Sequence, residues 1–193
     1  TQVKTVIPYF EKFINKFSTL ESFAKCSEKQ ILKLWEGLGY YRRARNLLIS
    51  SKILVREYNS KLPNTLEEIK KLPGVGDYTA NALLGLVHNK PTIAIDGNVK
   101  RIFSRILNKN ELNINFKKLV EINKKKLFNS KRNSDFVEAL MEFGALICKP
   151  KEPKCPNCII KNMCKYFKSD KKFQGTKVLR VKIKNYNILC YID

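Results

Sequence analysis

Long apolar runs are missing from this chain of 193 residues. No stretch approaches the roughly 20 consecutive apolar residues that span a bilayer. The amino end also lacks the charged and apolar regions of a secretory signal. The sequence therefore predicts a soluble, cytoplasmic protein. The chain begins at Thr1 rather than with a methionine, so we expect it to start inside a longer polypeptide.

Acidic side chains are scarce as well. The 17 acidic residues stand against 38 lysines and arginines, which gives a formal net charge of +21. A field of that sign attracts polyanions, and nucleic acid before any other. An A+T-rich coding sequence would also favour lysine, so the charge indicates nucleic-acid binding without establishing it. Apolar residues make up 44% of the chain, enough to bury a core.

Strand-like alternation is absent until residues 178–193, which are predicted to form a strand. Apolar residues at three- and four-residue steps predict helices elsewhere, and the first carries Val3, Val6, Phe10, Phe13 and Phe17. Ser27 with Gln30, and Thr65 with Glu68, have the spacing of capping boxes. Gly39 is predicted to end the helix that Ser27 begins. Further helices are predicted over residues 42–58, 78–87, 98–107, 116–128 and 134–147.

Cysteine is concentrated in one segment. Four of the six cysteines follow the spacing C-x6-C-x2-C-x5-C, namely Cys148, Cys155, Cys158 and Cys164. Without an export signal, such a group favours a metal site over disulfides. Structural zinc usually takes two short cysteine pairs, and only one is present, so a [4Fe–4S] cluster is favoured over zinc and over chance clustering. Cys26 and Cys190 are predicted to be ordinary buried residues.

Two glycines lie in the stretch "LPGVGDYTANALL", between two helical patterns. Gly74 and Gly76 permit a tight turn whose backbone N–H groups point outward at a helix N-terminus, which is an anion site. On this basic background a DNA phosphate is the expected anion. The alternative is a plain turn between two helices.

Aromatic and basic side chains adjoin in "GLGYYRRARNL". Rings beside guanidinium groups suit stacking on bases and gripping a nucleic-acid backbone. Tyr40 or Tyr41 could equally belong to the core.

A single carboxylate, Asp96, separates a short apolar run from a new helical pattern in "TIAIDGNVKR". The simplest interpretation is a helix N-cap, because aspartate accepts hydrogen bonds well from the first turn of a helix.

In their order and spacing along the chain, the aromatic–basic stretch, the glycine turn, "IDGNVKR" and the cysteine segment resemble the A/G-specific adenine DNA glycosylases of the helix-hairpin-helix superfamily, which also includes endonuclease III. The resemblance implies an all-α fold with DNA bound across a cleft. It assigns residues 1–92 to a six-helix barrel domain, with the helix-hairpin-helix at 66–87, and residues 93–168 to an iron–sulfur domain. Residues 169–193 would be the linker and first strand of a Nudix-like domain.

The implied reaction is hydrolysis of the N-glycosidic bond of adenine mispaired with 8-oxoguanine or guanine. In it, an ionised Asp96 would stabilise the sugar cation, the role that carboxylates have in glycoside hydrolysis. By resemblance Asn98 positions the intermediate, and Tyr78 lies beside the pocket. Tyr78 replaces the Schiff-base lysine of endonuclease III, which predicts base removal without strand cleavage.

The resemblance also assigns contacts and a cofactor. Tyr40 would wedge into the base stack, Gln2 would reach the DNA near the mispair, and Arg45 would grip the backbone. Gly74, Val75 and Gly76 would hold a phosphate. The four clustered cysteines would hold a [4Fe–4S] cluster in a monomer associated with the bacterial nucleoid.

One family residue has no counterpart in this chain. The glutamate that protonates adenine in the family lies just before the position of Thr1, and Glu21, Glu28 and Glu36 fall in a different motif context. We therefore expect truncation at the amino end, and the resemblance of residues 169–193 to only the start of a Nudix-like domain leads us to expect it at the carboxyl end as well. Two alternatives stay open, a related glycosylase acting on another base and a DNA-binding remnant without catalysis.

Overall fold

The computed structural model of the protein describes residues 3–128 and 131–170, and the regular structure of that part is helical. The all-α prediction is therefore confirmed there. Gln2, Cys190 and the predicted strand of residues 178–193 lie outside the described residues. The α-helices are α1 (Val3–Lys16), α2 (Leu20–Ala24), α3 (Glu28–Leu34), α4 (Arg42–Glu57), α5 (Leu66–Ile69), α6 (Asp77–Leu86), α7 (Gly97–Leu107), α8 (Phe116–Leu127), α9 (Asn133–Leu146) and α10 (Lys165–Lys168).

The helix starts follow the capping residues. The Ser27 hydroxyl accepts from the Gln30 N–H, and the Gln30 side chain accepts from the Ser27 N–H, so the predicted capping box is confirmed. Thr65 caps α5 by accepting from the Glu68 N–H. The prediction for Gly39 is wrong, because α3 already ends at Leu34. Gly39 instead takes a φ of 68° in the turn that follows.

The first four helices share one apolar core. Its buried residues come from α2, α3 and α4 and the loop between α2 and α3, and are Phe23, Cys26, Ile31, Ala44 and Leu48. Phe13 of α1 and Phe17, which follows that helix, close the core, with ring centroids 4.7 Å and 5.2 Å from that of Phe23. Aromatic pairs at these separations add to the burial of apolar area. The prediction that Cys26 is a buried residue is confirmed.

Helix α9 packs against both α6 and α7, and a glycine permits each close approach. A Cβ on Gly85 of α6 would lie 2.9 Å from Cγ2 of Val137, and a Cβ on Gly144 of α9 would lie 2.7 Å from Cβ of Asn98. Interiors this tightly packed cannot absorb an extra methyl group without movement. The two contacts thus fix α6 and α7 relative to α9.

In the part of the chain that the structure describes, no helix combines the length and the apolar character needed to cross a membrane.

Candidate active site

The carboxylate of Asp96 lies at the amino end of α7, after a buried Ile93–Ala94 segment. Its Oδ1 accepts from the Val99 N–H at 2.8 Å, so Asp96 is the N-cap of α7 as predicted. Its Oδ2 accepts from Nδ2 of Asn98 at 2.9 Å. The helix dipole also favours a negative charge at this position. Two donors and the dipole therefore hold an oriented, half-buried anion.

The amide of Asn98 is oriented by Arg101. Nη2 of Arg101 donates to Oδ1 of Asn98 at 2.8 Å, which leaves the amide NH2 facing Asp96. The same guanidinium donates to the carbonyls of Gly144 and Cys148 at 2.7 Å and 2.8 Å. Burial lowers the pKa of Arg101, while the nearby Asp96 carboxylate acts in the opposite direction. Sequence reasoning missed Arg101, although its i+3 spacing from Asn98 put both on one helix face.

Tyr78, the second residue of α6, borders the same site. Burial raises the pKa of its phenol, and the negative charge of Asp96 raises it further. The hydroxyl therefore stays protonated at neutral pH and can donate a hydrogen bond. Tyr78 is 45% exposed, so the site is open to solvent on this side.

The two predicted glycines lie in the turn between α5 and α6. Gly74 has a φ of 80°, and a Cβ there would overlap the side-chain amide of Asn46, so the position requires glycine. Val75 donates its N–H to the Leu72 carbonyl at 3.1 Å. Gly76 is the N-cap of α6 and supplies no side-chain hydrogen bond. The first N–H groups of α6 have no intrahelical partner, which suits an anion site.

Asp77, which sequence reasoning did not single out, adds an acid to this turn. It forms ion pairs with Nζ of Lys70 at 2.6 Å and Nζ of Lys117 at 2.9 Å. Hydrogen bonds from these two lysines lower the pKa of Asp77 to about 2. The lysines offset its charge, so the carboxylate does not leave the turn electronegative.

The turn between α3 and α4 presents Tyr40 to solvent. Tyr40 is 83% exposed and Tyr41 is 41% exposed, so the interpretation of either as a core residue is wrong. Asn46 of α4 contacts Gly74, which places this turn beside the glycine turn. Arg45 pairs through Nε with Oε1 of Glu28 at 2.6 Å, and an external anion would have to compete with that carboxylate.

The four clustered cysteines line one cavity behind α7, together with Arg105 and Tyr166. Burial raises the pKa of the Cys155 thiol, and negative charge on Cys148 and Cys164 raises it further. Thiolates this close repel one another unless a cation compensates. Across residues 3–128 and 131–170, however, no three His, Cys, Asp or Glu side chains are already arranged to hold a metal ion.

Arg105 connects α7 to the cysteine segment. Its guanidinium donates to the carbonyls of Lys149 and Pro150 at 2.7 Å and 3.0 Å, and its Nη1 lies 3.4 Å from Sγ of Cys148. The Sγ of Cys164 lies 3.4 Å from the Arg105 carbonyl. Sequence reasoning missed Arg105 as well, because a lone arginine on a helix carries no signal of what it will contact.

The glycine turn and the capped carboxylate both lie within the part of the chain that a family model matches. The family model described as "HhH-GPD superfamily base excision DNA repair protein" matches residues 1–129. The chain belongs to this superfamily.

Among its curated relatives are adenine DNA glycosylases. The chain is 41% identical over 174 residues to that of Buchnera aphidicola subsp. Baizongia pistaciae, covering 90% of this chain and 50% of the relative. It is 34% identical over 193 residues to that of Schizosaccharomyces pombe, covering 96% and 41%. The chain thus spans about half the length of the curated relatives it matches, or less.

Solved structures of two kinds share the fold. A thermostable thymine-DNA glycosylase aligns with a TM-score of 0.73 and 30% identity, over 84% of this chain and 76% of its own. Endonuclease III in a trapped covalent intermediate with DNA aligns with a TM-score of 0.68 and 26% identity, over 86% and 78%.

Proposed function

We propose that the protein is a monofunctional DNA glycosylase that hydrolyses the N-glycosidic bond of adenine mispaired with 8-oxoguanine or guanine. The observation that carries this proposal is the oriented Asp96 carboxylate at the N-terminus of α7. The curated relatives at 34% and 41% identity, which are adenine DNA glycosylases, support the choice of base.

The role of Asp96 follows from the charge that develops in the reaction. As the bond from the sugar to adenine breaks, the sugar gains oxocarbenium character, and a fixed carboxylate stabilises that cation. Val99 and Asn98 hold both carboxylate oxygens, so little reorganisation is needed when the cation forms. Arg101 acts through Asn98 and is a positioning residue.

Tyr78 supports hydrolysis rather than strand cleavage. A phenol with a raised pKa stays neutral, and it cannot form a Schiff base with the sugar. It can donate a hydrogen bond near Asp96 or to the sugar. Borohydride should therefore fail to trap the protein on substrate DNA. Efficient trapping that disappears on substitution of a single lysine would contradict the monofunctional assignment.

We also propose that DNA binds across the glycine turn and the Tyr40 turn. The N-terminus of α6 would receive a backbone phosphate, since its cap is a glycine without a side chain. Tyr40 would enter the base stack as adenine is turned out, a step that costs a few kcal/mol. Lysine and arginine in excess should make this binding strongly salt-dependent.

The four clustered cysteines would hold a [4Fe–4S] cluster. Their thiols line one cavity, and they carry the donor type that such clusters need. When bound, the iron of the cluster would compensate the negative charge of the four thiolates. Its bonds to them would also hold the segment from Cys148 to Cys164 in one conformation. Arg105 would donate an N–H to Cys148 from one side.

A single-turnover assay tests the reaction, with protein expressed from its complete reading frame. Duplexes should carry adenine opposite 8-oxoguanine, guanine or thymine, and separately thymine or uracil opposite guanine. We expect excision of adenine opposite 8-oxoguanine and guanine and little reaction with adenine opposite thymine. Faster excision of thymine or uracil would indicate a glycosylase for another base. Tight binding with no excision of any base would indicate a remnant without catalysis.

A further inference from the structure

Tyr40 combines two features that surface side chains rarely share. The residue is 83% exposed, and its backbone has a φ of 50°. Residues with a Cβ adopt this left-handed region only when their surroundings hold them there. Neighbouring groups must therefore hold the Tyr40 backbone in this conformation.

The guanidinium of Arg43 contacts Tyr40 and the residues around it. Its Cζ lies 5.5 Å from the centroid of the Tyr40 ring and 5.6 Å from that of the Trp35 ring, within the range of cation–π attraction. Its Nη2 donates to the Gly39 carbonyl at 3.4 Å, and Nε1 of Trp35 donates to the same carbonyl at 3.1 Å. One side chain thus touches both rings and the carbonyl that precedes Tyr40.

The Trp35 ring, which the Arg43 guanidinium contacts, is anchored in the protein. It is half-buried and packs against the core of α2, α3 and α4. Arg43 lies in the first turn of α4, the helix that contributes Ala44 and Leu48 to the same core. The guanidinium therefore contacts both an anchored ring and an exposed ring. A planar cation suits this position, since a lysine ammonium presents no flat face to either ring.

We propose that Arg43 is a positioning residue that holds the Tyr40 ring projecting from the protein, ready to enter the base stack when adenine is turned out. The proposal rests on the proposed function, in which Tyr40 is the inserted ring. A ring already restricted in the free protein loses less conformational freedom on binding, so the complex forms more tightly. Arg43 need not touch the DNA to have this effect.

A double-mutant cycle separates this role from direct binding of a phosphate by Arg43. The variants are Arg43→Ala, Tyr40→Ala and the double variant, in protein from the complete reading frame. A duplex with 2-aminopurine opposite 8-oxoguanine reports extrusion of the base by fluorescence, without any need for excision. The dissociation constant is measured on the same duplex. Arg42→Ala is the control, since it removes the same charge from the neighbouring position.

We expect Arg43→Ala to reduce extrusion and weaken binding about 3- to 10-fold, the range of one cation–π contact with a ring. In the Tyr40→Ala background the same substitution should change binding by less than about 1.5-fold. Arg42→Ala should have the same effect in both backgrounds. Arg43→Lys keeps the charge but loses the planar guanidinium and its reach to the Gly39 carbonyl, so it should recover only part of the loss. The rate of excision from the extruded state should stay unchanged in the Arg43 variants.

Two results would overturn the proposal. An equal effect of Arg43→Ala with and without Tyr40 would assign Arg43 to the phosphate backbone. If Tyr40→Ala extrudes and binds like the unaltered protein, the role of Tyr40 is wrong and the proposal falls with it, while excision of adenine would still stand. If Arg43→Ala does not fold, as judged by thermal unfolding, Arg43→Lys and Arg43→Gln complete the cycle.

Discussion

Helices α6 and α7 begin in opposite ways, although both begin at the edge of the same site. The N-cap of α6 is Gly76, which offers no side-chain acceptor to the first turn. The N-cap of α7 is Asp96, whose carboxylate accepts from the Val99 N–H. The positive end of a helix dipole therefore faces outward at α6 and faces an internal carboxylate at α7.

The difference shows how one physical property can serve two purposes. An N-terminus capped by glycine can receive an anion from outside, such as a phosphate. An N-terminus capped by aspartate already holds its anion, and that anion can then stabilise a cation. Sequence places the two caps twenty residues apart (76 and 96), and α9 packs on both helices to bring them together.

The strongest test of the comparison is Asp96→Asn. Asparagine is as good an N-cap as aspartate, so the stability of the fold should change by less than about 1 kcal/mol. The negative charge is lost, and single-turnover excision of adenine should fall by about 10²- to 10³-fold or more. Binding to the duplex should be largely retained.

Asn115→Asp is the matched control, because Asn115 caps α8 through the Lys118 N–H. It exchanges the same two residue types in the other direction and should leave excision unchanged. Full activity of Asp96→Asn would mean that Asp96 acts only as a helix cap. The N-terminus of α7 would then have no catalytic role to set it apart from that of α6.

A second test replaces the glycines of the α6 turn one at a time. Gly74→Ala should destabilise the protein by about 1–3 kcal/mol, because its φ of 80° and the contact with Asn46 both exclude a Cβ. Gly76→Ala should cost less than Gly74→Ala, since nothing lies within 4 Å of a Cβ there and the loss is limited to alanine being a poorer N-cap than glycine. Urea unfolding measures both effects.

Measuring duplex binding by the Gly76→Ala variant then tests whether the N-terminus of α6 receives a phosphate. If a phosphate approaches the cap of α6 closely, Gly76→Ala should weaken binding while the fold stays intact. Normal binding by a stable Gly76→Ala variant would argue that the open end of α6 is only a turn between helices.

A third test concerns the far end of α7. Arg105→Lys keeps the charge but cannot reach the two carbonyls of Lys149 and Pro150 together with Sγ of Cys148. We expect the anaerobically purified protein to hold about four irons per chain, and the variant to lose them several-fold faster to a chelator. Arg56→Lys, at an exposed arginine paired with Glu57, is the control. Stoichiometric zinc without iron in the unaltered protein would exclude the cluster.

The smallest expected effect belongs to Asp77. Its folded pKa of about 2 lies below the ordinary value of 3.8, so its ion pairs contribute stability above that ordinary value and lose it as the pH falls toward about 2. Asp77→Asn should therefore be slightly less stable than the unaltered protein at about pH 5, and the gap should close by about pH 2. Added salt should also narrow the gap at about pH 5. A gap that is independent of pH and salt would mean that Asp77 acts by packing.

Sequence predicted the parts of the site that depend on local chemistry. Asp96 as an N-cap, the Ser27 capping box and the helices around them follow from spacing along one stretch of chain. Arg101 and Arg105 were missed because their partners, Gly144, Cys148 and Pro150, lie more than forty residues away. The end of α3 was misplaced because two glycines follow it, and only the folded turn shows that both take positive φ.

The two glycine contacts of α9 have a consequence for how the protein moves. Because Gly85 meets Val137 and Gly144 meets Asn98, α6 and α7 share one rigid neighbour. Local opening of either helix would disturb the packing of α9, and elements linked in this way tend to open as one cooperative unit. Amide hydrogen exchange should therefore show α6, α7 and α9 protected to a similar degree.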